Sequence, residues 1–363
     1  MPRQLSRQVI GDDADHPPPP PDPNPTAMRH LAALALSAVA AACGGEPGPT
    51  IYVALDEQFS RPLLDRYGKE LQLDLTQRHD TEAAKTVGLV SALLEEQDHP
   101  RATVFWCNEL AQAVRLAQAG VLAPYDSPAA ADLPERWRAA DRRWFAFAAR
   151  ARILIVNTER LPDPANWPKS YKDLLDPKWK GRCAVAKPLT GTTLTHFTAL
   201  RQALGEQAFG ALLEGMFAND VQFLQSNGAT MRAVRDGQLD WAFTDTDDYH
   251  VAKQKGHKVA CVFPDQEDGG LGTMLIPNAV GLVAGGPDQD GGKRLIDRIV
   301  SQETEALLAA ADGAQIPLRS GVKGPQDPAI KAVGSFRAMA WDPMKTATEL
   351  ARCNQEFSKR WGK

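Results

Sequence analysis

Three carboxylates fall within four positions at Asp245, Asp247 and Asp248, straight after the apolar run Trp241-Ala242-Phe243 and straight before Tyr249 and His250. Carboxylates this close repel one another, and burying them together is costly, so the group needs water, a bound cation or a cationic partner. Oxygen donors of this kind suit a hard cation, or charge-assisted hydrogen bonds to the ammonium or hydroxyl groups of an organic solute. A plainer use of the same residues is the acidic first turn of a helix, where Asp and Thr cap free N–H groups and suit the dipole. General acid–base work with His250 is a further use. The chain carries no G-x-S-x-G, H-E-x-x-H or G-x-x-x-x-G-K-[ST] pattern, which leaves an exported hydrolase with the least support.

A second group is Thr190-Gly191-Thr192-Thr193, ahead of an expected helix from His196 to Leu204. Small hydroxyl residues around a glycine at a helix N-terminus can offer backbone N–H and side-chain O–H groups to an anion, or can serve as an ordinary cap.

The elements that must position these groups alternate between strand and helix. Strands are expected at 51–55, 71–75 and 102–106, with helices after the first and at 87–96. Such spacing implies βαβ units and a mostly parallel sheet, with ligands outside the carboxyl ends of the strands. The polar strand ends Glu57, His79, Asp80, Asn108 and Glu109 are therefore candidates to line one crevice. Two strands in succession, 144–149 and 152–157, are long enough to pass from one lobe to another. A second α/β pattern follows: a strand at 183–186, a helix at 207–217, a strand at 221–224 ending in Gln225-Ser226-Asn227, the acidic stretch, and a strand at 259–263. Segments 271–276 and 279–283 read as a return crossing. Helices are expected at 293–301 and 303–311, and the segments 336–339 and 346–359 read as helical, a strap across the back of the second lobe.

From Ile51 to about Val322 the order of motifs resembles the extracellular solute-binding proteins of bacterial ABC importers, and most the ferric-iron-binding branch. The resemblance rests on Phe105-Trp106-Cys107-Asn108-Glu109, Ala119 to Pro124, Arg150 to Asn157, Leu174 to Arg182, Asn227 with Arg232 to Gly237, and Thr244 to Asp248. It implies an α/β, two-lobed periplasmic binding protein fold of type II. Each lobe would be a central, mostly parallel sheet flanked by helices, joined to the other by crossing strands. Lobe 1 would comprise 51–148 plus 277–322, and lobe 2 149–276 plus 323–363. The implied role is hinge closure on a solute and delivery to a membrane permease, with no catalysis and with the chain acting as a monomer. The ferric relatives' tyrosine pair falls here on Asp247 and Asp248, their histidine on Glu57, their glutamate on Asn108 with Glu109 beside it, and an anion-holding asparagine on Asp245. The anion loop matches Thr190-Gly191-Thr192, with Thr193 following, and Asn227 keeps its asparagine. The implied cargo is Fe(III) with a synergistic anion, held by Glu57, Asp247, Asp248 and a neighbouring phenolate from Tyr249. The other reading keeps the role and changes the cargo to a phosphorylated or phosphonate solute, such as an aminoalkylphosphonate or a sugar phosphate.

Composition agrees with a globular exported chain. With 363 residues and 43 % hydrophobic side chains there is material for two cores. A net charge of −4 without a long basic run argues against a nucleic-acid partner. Residues 1–27, with Pro17 to Pro21, lack the apolar side chains to fold and read as a disordered or mis-assigned leader. Met28-Arg29-His30, the apolar run Leu31 to Ala42 and then Cys43 have the order of a bacterial export signal. Ala40-Ala41-Ala42-Cys43 resembles a lipoprotein box, which would lipidate Cys43 and tie the chain to the cell envelope through the tether 43–50. The other cysteines, Cys107, Cys183, Cys261 and Cys353, have no C-x-x-C pair, and either one disulfide or buried thiols fits.

Overall fold

A computed structural model describes residues 48–80 and 87–361. The leader, the export signal, Cys43 and most of the tether lie outside the described residues, as do Thr81 and Glu82. Among the described residues no helix is long and apolar enough to cross a membrane, and Cys107, Cys183, Cys261 and Cys353 are all free thiols.

One strand organises the rest. β5 (Phe145–Asn157) runs for 13 residues, and every one is buried, so the two strands expected at 144–149 and 152–157 are a single element about 40 Å long. Its first half pairs antiparallel with β10 (Leu275–Val283), and its second half with β8 (Trp241–Asp245) and β9 (Val259–Val262). On one side the sheet continues from β10 through β3 (Val104–Cys107) and β1 (Thr50–Val53) to β2 (Thr76–His79), with the short β4 (Leu122–Ala123) also paired to β10. On the other it continues from β8 through β6 (Cys183–Ala186) to β7 (Gln222–Leu224). The outer pairs β1–β2, β1–β3, β6–β7 and β6–β8 are parallel. Antiparallel pairing is confined to the ladders of the crossing strands β5 and β10, so the fold is α/β with two lobes sharing their middle strands.

Helices cover both halves. α1 (Glu57–Leu71), α2 (Val87–Glu95), α3 (Leu110–Gln118), α8 (Gln289–Ile299) and α9 (Gln302–Ala310) belong to the first. α4 (Gly191–Leu204), α5 (Glu206–Ala218), α6 (Asn227–Arg235) and α7 (Thr246–Gln254) belong to the second. α10 (Pro343–Trp361) buries Phe357 and Trp361 against Phe197, Phe209, Phe217 and Phe223 of the second half. It does more than strap the second lobe, because Gln118 on α3 also donates to Met344 O at 3.2 Å and to Thr348 Oγ1 at 3.3 Å.

Other expected elements differ as well, the return at 271–276 and 279–283 being the single strand β10. β2 lies at 76–79 rather than 71–75, because Gln72 turns left-handed (φ 53°) to end α1 and the Leu73 N–H returns to Gly68 O. An edge strand buries only one face, so the polar Thr76-Gln77-Arg78-His79 suffices. The segment 169–181, which reads in the sequence as one short helix with a proline stop, forms two short 3-10 turns, each capped by an Asp or Ser side chain. Residues 336–339 are not helical; Ala338 bridges to Thr273.

The crossing carries one irregularity. In the β5–β10 ladder Pro277 faces Ala149 and Asn278 faces Phe147, so Ala148 is left without a partner as a β-bulge. Its φ of 37° is left-handed, which costs a residue with a β-carbon about 1 kcal/mol. Its N–H donates to Glu305 Oε1 at 2.9 Å, and its carbonyl accepts from Asn278 Nδ2 at 2.7 Å.

If α10 completes the second core, Phe357→Ala should cost about 3–5 kcal/mol. Guanidinium unfolding followed by far-UV circular dichroism measures it, and a loss below about 1 kcal/mol would show that α10 is only laid on the surface.

Candidate functional site

The site grows out of two arginines on β5. Arg150 and Arg152 are two residues apart, so their side chains leave the same face of the strand, and they are 6 % and 0 % exposed. Two cations can be buried so only if carboxylates meet them. Arg152 lies opposite Asp245 in the ladder, and its Nη1 donates to Asp245 Oδ1 at 2.7 Å. Arg150 Nη1 stands 3.3 Å from Asp245 Oδ2 and 3.8 Å from Asp247 Oδ2, and Nη2 stands 3.7 Å from Glu109 Oε1. The same Nη2 donates to Asn108 O at 2.8 Å.

A hydroxyl-amide network closes around Asp245. Thr192 Oγ1 donates to Asp245 Oδ2 at 2.9 Å, Asn227 Nδ2 donates to the same oxygen at 3.1 Å and to Thr192 Oγ1 at 2.5 Å, and Thr193 Oγ1 donates to Asn227 Oδ1 at 3.1 Å. Burial alone would raise the Asp245 pKa, but Arg152 and then Arg150 hold it below the ordinary carboxylate range. Asp245 is therefore an ionised anchor whose oxygens face inward to protein donors.

Asp247 and Asp248 begin α7 and are half-buried. Burial pushes Asp247 well above the ordinary range despite Arg150, and Asp248, Asp245 and Asp56 add to the rise. Thr244 Oγ1 donates to Asp248 Oδ2 at 2.5 Å. One oxygen each from Asp245, Asp247 and Asp248 lies within 4.8 Å of the others, a spacing able to hold a metal ion.

The structure thus brings together Asn108, Glu109, Thr192, Thr193, Asn227, Asp245, Asp247 and Asp248. Thr190 is exposed at the start of α4 without a side-chain capping bond, and Gly191 follows at φ 58°. Two expected ligands are not grouped with them. Glu57 is exposed and ion-paired with Arg61 at 2.6 Å; its neighbour Asp56 is the β1-end carboxylate in electrostatic reach of Arg150 and Asp247. Tyr249 is 1 % exposed and its hydroxyl is committed to Lys253 and Asp327, because one helical step turns it away from Asp248. Arg150, Arg152 and Asp56 were missed as site residues. The two arginines carry a signal: spaced by one residue inside an otherwise apolar strand, they demand carboxylates, whereas Asp56 carries none of its own.

Glu109 stands just before α3 in the first lobe, makes no side-chain capping bond there, and accepts from Thr195 Oγ1 of α4 in the second at 2.8 Å. Burial pushes its pKa up to about 7, against the pull of Arg150 and Thr195.

Residues 113–347 match the family model of the bacterial extracellular solute-binding proteins, and the chain belongs to that family. It is therefore a binding protein and not an enzyme. It is 27 % identical over 323 residues, 83 % of this chain and 87 % of the relative, to iron uptake protein A1 of Synechocystis. It is 26 % identical over 259 residues, 70 % of this chain and 74 % of the relative, to a putative 2-aminoethylphosphonate-binding periplasmic protein of Salmonella typhi. The fold matches iron-bound HitA from Pseudomonas aeruginosa with a TM-score of 0.75 at 23 % identity, covering 85 % of this chain and 98 % of that one.

The folded chain keeps the Glu109 proton up to about pH 7, where an unfolded chain releases it near 4.5. Stability from this group is complete below pH 4.5 and is lost as pH rises to about 7, by about 3 kcal/mol. Glu109→Gln, which cannot titrate, should flatten the stability profile over that window. Urea unfolding of both proteins at pH 5 and pH 8 measures the difference, and parallel profiles would refute it.

Proposed function

We propose that this solute-binding protein takes up Fe(III), as an iron–anion complex, in the cleft between lobes 51–148 plus 277–322 and 149–276 plus 323–363. The observation that carries this reading is the excess of carboxylate at one point: Asp247 and Asp248 beside the anchored Asp245, with Asp56 near, against two arginines already engaged. A hard, highly charged cation relieves that excess and favours oxygen ligands. Asp247 and Asp248 supply the first of these. The exposed N-terminus of α4 at Thr190 and Gly191 suits the accompanying anion. The similarity to iron uptake protein A1 supports the same cargo.

Contacts from both lobes favour a closed form by their differential affinity, and closure presents the loaded protein to a membrane permease. The chain works as a monomer, exported and held at the envelope through Cys43. A phosphonate or phosphorylated solute is the second reading, in which the start of α4 at Thr190 to Thr193 would hold the phosphonate while Asp247 and Asp248 take the ammonium or hydroxyl groups; the similarity to the 2-aminoethylphosphonate-binding protein supports it.

Asp247→Asn and Asp248→Asn should each weaken Fe(III) binding by at least about 100-fold, or about 2.7 kcal/mol, while Tyr249→Phe should change it less than about twofold. Competition with citrate, followed by metal analysis, reads these constants. Native mass spectrometry of protein purified from the envelope separates the two cargoes: a bound organic phosphate without iron would overturn the ferric reading.

A further inference from the structure

Besides the acidic site, the described residues hold a second buried polar cluster, with no part in holding cargo. The chain passes between the lobes three times: along β5, along β10, and after Leu318, where residues 327–341 pack on the second lobe through the Lys253–Asp327 ion pair (2.9 Å) and the Thr273–Ala338 bridge. All three passages meet at one point. Glu305 on α9 is 0 % exposed. Its Oε1 accepts from Ala148 N in the first passage at 2.9 Å and from Leu318 N at the start of the third at 2.7 Å, and its Oε2 accepts from Arg319 Nη1 at 3.0 Å. Asn278, in the second passage, donates to Ala148 O at 2.7 Å and to Gln315 Oε1 at 2.5 Å.

The placement follows from backbone accounting. Ala148 is the bulged residue, so neither its N–H nor its carbonyl belongs to the ladder, and neither can reach water from a fully buried strand. Pro277 opposite has no N–H to give. A carboxylate and an amide from other elements replace the missing ladder bonds. They are side-chain acceptors and donors, which can swing with a backbone that rotates; a ladder bond would have to break. The left-handed φ of 37° at Ala148 marks the residue at which the strand already departs from regular geometry.

We propose that Ala148 is the pivot about which the lobes turn, and that Glu305 and Asn278 form the pin that limits the turn and sets the balance of open and closed forms. The proposal rests on the hinge-closure reading, though not on the identity of the cargo. Glu305 is a positioning residue here: it touches no solute, and it ties the start of the third passage to the pivot of the first. Loosening the pin widens the range of lobe separations in cargo-free protein.

The test uses spin labels at Asp290→Cys in the first lobe and Lys180→Cys in the second, in a Cys261→Ser background, with the distance distribution measured by pulsed electron resonance in cargo-free protein. Ala148→Gly keeps both hydrogen bonds and frees the backbone; Glu305→Gln keeps the shape and weakens the grip on Arg319. At least one of them should broaden the distribution by about twofold, while Glu303→Gln, an exposed change on the same helix, should leave it as in the parent. Should Glu305→Gln not fold by circular dichroism, Ala148→Gly alone decides. An unchanged width in every folded pin variant, or equal broadening with Glu303→Gln, overturns the proposal. The labels report lobe motion with no cargo present, so an error about iron leaves the result intact, and a parent distribution that fails to shift on adding ferric citrate indicts the ferric reading alone.

Discussion

The buried pairing of Arg152 with Asp245 is the constraint on which the site depends. An arginine in the middle of a strand buried along its whole length is tolerated only if its charge is met at close range and its donors are filled. Asp245 sits opposite it in the ladder, and the backbone register that builds the sheet therefore also builds the ion pair. Removing either member would leave a buried charge unanswered, a loss of about 3–5 kcal/mol. The partners of Asp245 then decide where α4 and α6 begin, because Thr192 and Asn227 must both reach one carboxylate oxygen.

Once Asp245 is committed, the remaining carboxylates acquire a different character. Arg150 is shared among Asp245, Asp247 and Glu109, so none of the last two is fully neutralised. Burial answers this by favouring their protonated forms, which is the direction found for both. Carboxyls held near or above their ordinary range, beside an ionised anchor, form a group whose charge state responds to whatever enters. Glu109 carries that response across the lobes through Thr195, whereas Asp247 and Asp248 stand half-buried at the start of α7.

Much of this was legible in the sequence. The alternation of strand and helix, a crossing at 144–149 and 152–157, a return at 271–276 and 279–283 and the acidic turn after Trp241 to Phe243 all follow from periodicity and from the placement of Asp after an apolar run, although each crossing folds as one strand where the sequence reads as two. Less legible were features that depend on which strand faces which. Asp56 and Glu57 are adjacent, and only the path of the chain out of β1 decides that Asp56 comes within electrostatic reach of Arg150 while Glu57 pairs with Arg61. Tyr249 likewise reads as a neighbour of Asp248, yet helical geometry sends the two side chains to different faces. The bulge at Ala148 left no mark beyond Pro277, whose partner strand cannot be named from the sequence.

The arrangement of donors bears on the sign of the charge the cleft accepts. Arg150 already gives Nη1 to two carboxylates and Nη2 to a carbonyl and a third carboxylate, and Arg152 gives Nη1 to Asp245 and stands near Thr192 and Thr193. Among the described residues, the Nε–H groups of the two arginines find no partner. A phosphate entering here would have to displace carboxylates that hold the arginines in a buried strand, and would then lie against Asp247, Asp248 and Asp56. A cation meets the opposite situation: it approaches carboxylates that burial has left under-neutralised, and it lets Asp247 ionise without breaking any ion pair. An anion therefore gains most where it arrives already bound to a cation, with its own oxygens turned to the start of α4 rather than to the arginines.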